Sequence, residues 1–124
     1  MIASDTSTWI AFLEGSSGDD VEMPTKALRD RQVVMAPAVL TELLSDHTLP
    51  QDTFRFLRQI PKLGILEGYW ERAGELRARL YRRGLKAHIA DSLIAQCCLD
   101  HDVALITRDR DFRHFARFAG LRLQ

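Results

Sequence analysis

Long apolar runs are missing from this sequence. Nothing in it approaches the roughly 20 residues that a membrane-spanning helix needs, so no membrane role is expected. Cysteine is scarce: Cys97 and Cys98 stand side by side and alone in 124 residues. Two neighbouring thiols are no disulfide framework, which points to a reducing compartment. A basic leader is also missing, since Met1-Ile2-Ala3-Ser4-Asp5 meets an acid at once. No signal peptide is therefore expected, and the cytoplasm is the expected location. Repeats, low-complexity tracts and dividing linkers are absent too, so residues 1–124 read as one domain. Net charge is zero, with seventeen Lys and Arg against seventeen Asp and Glu. As an average, that neutrality argues against a nucleic-acid partner.

What is present changes that last inference. The 46% apolar and 27% charged fractions are those of an ordinary globular chain. A chain of this length buries about two-thirds of its unfolded surface, enough for a core without disulfides or zinc. The charges are sorted along it. Residues 1–54 carry nine acids and three bases, and residues 55–124 carry eight acids and fourteen bases. Fourteen of the cations are Arg, whose planar fork suits phosphate. Such asymmetry is a hint of a polyanion partner, although Arg on solvated helix faces is the plainer reading of any single one.

Short apolar runs predict strands at Met1–Ser4, Val33–Ala36, Leu63–Leu66, Ala104–Ile106 and Leu121–Leu123. Helical spacing lies between them. Trp9, Phe12 and Leu13 form one apolar face ending at Gly15, and Asp19 or Asp20 is placed to cap a second helix. Pro24 suits that second helix only in its first turn. Pro37 opens a third helix, with Val39, Leu40, Leu43 and Leu44 on one side. Further helices are expected over Thr53–Gln59, from Tyr69 to a stop at Gly84, over Ile89–Leu99 and over Asp111–Ala119. Strands alternating with helices imply a parallel sheet covered on both faces, with ligands at the carboxyl ends of the strands.

The acids fall on that edge. Asp5 follows the first strand, Asp109 the fourth, Glu42 lies one turn into the Pro37 helix, and Asp91 opens the Ile89–Leu99 helix. Each Asp alone reads more readily as a helix N-cap. Four ionised carboxylates together are another matter, because two unit charges about 4 Å apart repel by about 4 kcal/mol at an effective dielectric near 20. Protons or a cation must compensate. Oxygen ligands without Cys or His favour Mg²⁺ or Mn²⁺, the ions of metal-assisted phosphodiester cleavage.

At these residues the sequence resembles PIN-domain proteins, and within them the VapC-type toxins of bacterial toxin–antitoxin modules. The resemblance runs from Asp5-Thr6-Ser7 through Met35-Ala36-Pro37-Ala38-Val39-Leu40-Thr41-Glu42-Leu43-Leu44 and Arg82-Arg83-Gly84-Leu85. It continues through Asp91-Ser92-Leu93-Ile94-Ala95 to Leu105-Ile106-Thr107-Arg108-Asp109-Arg110-Asp111-Phe112 and Gly120-Leu121. It implies a three-layer α/β/α fold around a mostly parallel sheet of four to five strands. It also implies an Mg²⁺- or Mn²⁺-dependent endoribonuclease, cleaving RNA with a metal-activated water, held in check by a cognate antitoxin and forming a homodimer.

Carried over by position, Asp5, Glu42, Asp91 and Asp109 match the acidic quartet, with Asp5 and Asp91 as direct metal ligands. Thr6, Ser7 and Thr107 would hold the carboxylates or a water of the site. Asp111 competes with Asp109 for the fourth place. Gln96-Cys97-Cys98 replaces the alanine-rich sequence usual in the family, a change in packing rather than chemistry. Arg110, Arg113 and Arg117 recur at i, i+3, i+7 and would guide RNA, as would a second group of Arg72, Arg79, Arg82, Arg83 and Lys86; solvated faces are the alternative. His88, three residues before Asp91, reads first as a loop histidine. Trp9, Phe12, Leu13, Leu40, Leu43 and Leu44 either join the core or leave a groove for an antitoxin segment, and Trp70 serves the core or a dimer contact. A catalytically silent PIN-fold scaffold is the competing function. An aspartyl phosphotransferase is weaker still, because it needs a second Asp where Ser7 stands.

Overall fold

The structure is a computed structural model describing residues 1–124, apart from the side chain of Met23. Its strands are β1 (Ile2–Ser4), β2 (Val33–Val34) and β3 (Ala104–Ile106), all parallel, with β1 in the centre of the order β2-β1-β3. Ile2 faces Val33 on one side and Ala104 on the other. The two further strands predicted from sequence are each reduced to one parallel bridge. Lys62 pairs with Met35 beyond β2, and Leu123 pairs with Leu105 beyond β3. The first bridge uses Met35 N to Pro61 O at 2.9 Å and Leu63 N to Met35 O at 3.0 Å. After it, Gly64 to Glu67 turn outward into solvent. An apolar run read as a strand is thus an exposed loop with one anchored end.

Seven helices surround the sheet among the described residues: α1 (Thr6–Leu13), α2 (Asp19–Arg29), α3 (Pro37–Leu44), α4 (Gln51–Gln59), α5 (Tyr69–Arg82), α6 (Ile89–His101) and α7 (Phe112–Ala119). Each predicted helix is found, with ends shifted by a few residues. Gly15, Gly84 and Gly120 stop α1, α5 and α7 in left-handed conformations with φ of 75°, 73° and 77°. Pro24 departs from expectation. It lies in the second turn of α2 and is buried there, so packing outweighs the backbone hydrogen bond it removes. Neither Asp19 nor Asp20 caps that helix; Gly18 does.

The core joins both layers of helices to the sheet. Trp9, Met35, Leu105, Ile106, Phe112 and Phe115 are all essentially inaccessible. Cys97 and Cys98 are buried in it as free thiols. Trp9 stacks edge-on against Phe12 and Phe56, locking α1 to α4. Lys62 reaches back to the end of α4, where its ammonium donates to the carbonyls of Leu57 and Arg58 at 3.0 and 2.7 Å. No described helix is long and apolar enough to cross a membrane. Parallel register puts the ends of β1, β2 and β3 on one edge, so the segments that follow them meet there.

Candidate metal centre

Asp5 is the most deeply built of the acids, only 3% exposed. Its backbone N–H donates to Ile106 O at 3.0 Å, the last bond of the β1–β3 ladder. Its carboxylate caps α1 by accepting from Thr8 N at 3.0 Å. It also accepts from Ser7 Oγ at 2.8 Å and from Thr107 Oγ1 at 2.6 Å. The capping reading and the site reading therefore describe the same residue. Three donors hold the carboxylate in one orientation, which offsets the cost of burying it.

Thr107 links two acids. Its hydroxyl donates to Asp5 and accepts from Asp109 N at 2.9 Å. Asp109 Oδ1 in turn accepts from Asp111 N at 2.9 Å. Asp111 is the N-cap residue of α7 but makes no side-chain cap bond, which leaves its carboxylate to the site. Across the edge, Thr6 Oγ1 donates to Glu42 Oε1 at 2.5 Å, tying α1 to α3. The three predicted hydroxyls thus all bond to an acid or its backbone.

Asp91 sits in the first turn of α6, whose cap is His88. It is half-buried, and its carboxyl is pushed up to about 6. Burial is the largest cause, followed by the charge of Asp109; Glu42 and Asp5 push the same way, and His88 opposes them. The helix N-terminus would by itself favour the anion, so desolvation and like charge outweigh it. That one carboxyl feels three other acids from three separate segments.

Oxygens of Asp91, Asp109 and Asp111 all come within 4.8 Å of one another. Asp5, named from sequence as a direct ligand, is outside this closest trio, as is Glu42. Asp109 and Asp111, which compete in the sequence for the fourth place, both lie in the trio. The donors are all carboxylate oxygens, with neither Cys nor His in the trio, so they suit a hard divalent cation rather than zinc.

Sequence reasoning missed the brace beside these acids. Arg108 forms an ion pair with Asp20 and donates through Nη2 to Ser17 O at 3.0 Å. This ties the start of α2 to the loop carrying Thr107 and Asp109. Gly18 lies beneath it with φ 137°, and a Cβ there would stand 2.8 Å from the Asp20 carboxylate. An Arg and an Asp 88 residues apart leave no local signal; the glycine was the only readable trace. Arg110, Arg113 and Arg117 are exposed and make no ion pair among the described residues. His88 is exposed and makes no side-chain cap bond.

Two grooves border Glu42. One, of about 450 Å³, runs between α1, α3 and α4, with Ile10, Leu13, Leu43 and Leu49 among its apolar residues and Glu14 and Asp46 on its wall. The other, of about 290 Å³, lies between α3, α5 and α6, where Ile65, Trp70 and Ile89 are 44%, 63% and 61% exposed. Leu13 packs on the core and also lines a groove, whereas Trp70 stands outside the core.

Residues 2–118 match the family profile described as PIN domain. No curated protein sequence matches the chain. Among solved structures, VapBC-1 from nontypeable Haemophilus influenzae is similar with TM-score 0.75 and 21% identity, covering 100% of this chain and 97% of that one. VapBC2 from Rickettsia felis, solved bound to a promoter DNA fragment, gives 0.74 and 21%, covering 100% and 98%. FitAcB from Neisseria gonorrhoeae gives 0.71 and 19%, covering 99% and 96%. At these identities the likeness is one of fold.

Proposed function

Because this chain belongs to the PIN-domain family, we propose that it is a metal-dependent endoribonuclease of VapC type, a toxin inhibited by a cognate antitoxin. The observation that carries the reading is Asp91, whose carboxyl is raised to about 6 by burial and by the charges of Asp109, Glu42 and Asp5. A carboxyl disfavoured as an anion by burial and neighbouring acids, with oxygens of Asp109 and Asp111 within 4.8 Å of its own, marks a place prepared for a cation. Asp5 and Asp91, with Asp109 and Asp111 beside them, would hold Mg²⁺ or Mn²⁺. When bound, the cation offsets their charge, favours deprotonation of water and neutralises the phosphodiester.

The side chains do the rest. Ser7, Thr8 and Thr107 hold Asp5 so that it need not reorganise when charge develops nearby. Thr107 sets the position of the Asp109 backbone, and Asp109 orients the attacking water. Glu42, fixed by Thr6, completes the acidic wall. Arg110, Arg113 and Arg117, exposed and without an ion pair among the described residues, would bind flanking phosphates.

Similarity to solved VapBC and FitAB assemblies supports an antitoxin partner. The α1–α3–α4 groove, apolar with acids on its wall, suits an amphipathic segment bearing a basic residue toward Glu42. The exposed Trp70 and Ile89 face suits a second copy of the chain, and the expected setting is the cytoplasm. The test is Asp5→Asn. It should abolish Mg²⁺-dependent RNA cleavage while circular dichroism stays that of the parent. An unchanged cleavage rate in that variant would refute the assignment.

A further inference from the structure

A cleft of about 730 Å³ lies away from the acids. It lies between α5, α6 and α7, with Arg72, Arg79 and Arg82 on one side and Gln96, Leu99 and Ala119 on the other. Arg72 is already committed, its guanidinium bonding to both oxygens of Asp100 at 3.0 and 2.6 Å. Gln96 donates to the same carboxylate at 2.8 Å. Asp100 is therefore spent, and Glu75 is the one acid lining the cleft. Arg79 and Arg82 are exposed and form no ion pair among the described residues.

Beside this cleft, two more guanidinia converge. Arg83, just past α5, lies 4.3 Å from the centroid of the Phe118 ring, and Arg117 of α7 lies 5.0 Å from it. Two cations share one aromatic ring with no carboxylate paired to either, among the described residues. The ring attracts each of them, and two like charges brought this close favour an anion beside them. We propose that the α5–α6–α7 cleft is a second phosphate-binding site, taking the backbone of a single-stranded RNA whose scissile bond lies at the acids.

Continuity favours RNA over an acidic protein. Asp91 opens α6 and Asp111 caps α7, and Leu99 and Ala119, each eight residues further along, line the cleft. Eight residues of helix span about 12 Å, so both helices run from the acidic edge to the basic cleft. Arg110, Arg113 and Arg117 mark one of those paths. A chain engaged at the acids would keep its neighbouring phosphates within reach of Arg79 and Arg82. The inference rests on the RNA reading above, and its readout is separate from cleavage.

The experiment measures the affinity of the full chain for a fluorescent single-stranded RNA of a dozen nucleotides, by anisotropy in EDTA. Salt is varied between about 50 and 200 mM, and the variants are Arg79→Gln/Arg82→Gln and Arg79→Lys/Arg82→Lys. Each neutralised single-strand phosphate contributes about 0.7 to the salt slope, so the Gln pair should flatten it by about 1.4 and weaken binding about tenfold at the low-salt end. The Lys pair should keep the parent's slope. Parental affinity and slope in the Gln pair overturn the proposal. So does equal loss in the Lys pair, which would mean packing rather than charge. Arg-dependent binding of poly-glutamate with none of RNA overturns it in favour of an acidic protein. Cleavage of the same RNA in Mg²⁺ is scored apart: its absence beside Arg-dependent binding removes the nuclease reading alone, and its presence beside Arg-independent binding removes this site alone.

Discussion

Asp91 shows what a single residue can reveal about a site. Its folded-state carboxyl titrates near 6, above the ordinary 3.8. The folded chain therefore holds that proton more tightly than the unfolded one, and stability falls as pH rises from about 4 through 6. Above that range the ionised, half-buried carboxylate is a standing cost. In EDTA at pH 8, Asp91→Asn should raise Tm by about 3–5 °C, the shift that about 1 kcal/mol makes in a domain of this size. Below pH 4 the advantage should vanish, and added Mg²⁺ should raise the parent's Tm more than the variant's. Thermal melts across pH measure all three. Thr107 is the second informative residue, since one hydroxyl serves Asp5 and Asp109 together. Thr107→Val removes both bonds and should cost about 1–3 kcal/mol by leaving a buried acceptor short; cleavage should fall at least about tenfold, while Thr107→Ser restores both. Melts and single-turnover cleavage check that pair.

Among the elements, those with strong local chemistry were legible in the sequence. Pro37 at the first turn and Gly15 and Gly84 at helix ends placed α1, α3 and α5 to within a few residues, because caps act locally. The edge strands were not legible as they stand, since the apolar run Leu63–Leu66 lies just past a single bridge at Lys62 and Leu121–Leu123 pairs only through Leu123. Pairing depends on what lies alongside, which composition does not record. Pro24 in the second turn of α2 broke a local rule for a tertiary reason, its burial. The quartet was legible because each acid follows a readable strand or opens a readable helix. The trio geometry of Asp91, Asp109 and Asp111 was not, nor was the Arg108–Asp20 brace, because both depend on loop conformation. Gly18 sits under that brace in a conformation that side chains avoid, with a 2.8 Å contact awaiting any Cβ. Gly18→Ala should therefore cost about 1–3 kcal/mol. A denaturant melt measures it, and cleavage should weaken with it because the strap holds the loop bearing Asp109.

For the whole molecule, the absence of net charge proves to be two surfaces averaged. Acids gather at the carboxyl edge of the sheet, and Arg residues without an ion pair among the described residues occupy α7 and the end of α5. A bound cation reduces the acidic side only, leaving the loaded protein more cationic than its formula. Cleavage should accordingly weaken as salt rises, with kcat/KM falling about linearly in log–log form. The likeness to VapBC assemblies concerns the fold, and the chemistry rests on the acids. The most direct test maps new RNA ends after incubating total RNA with the purified chain, with Mg²⁺ and with EDTA. Discrete ends that appear with Mg²⁺ and vanish in EDTA are the predicted result; no new ends under either condition, or the same ends in EDTA, would contradict a metal-dependent endoribonuclease.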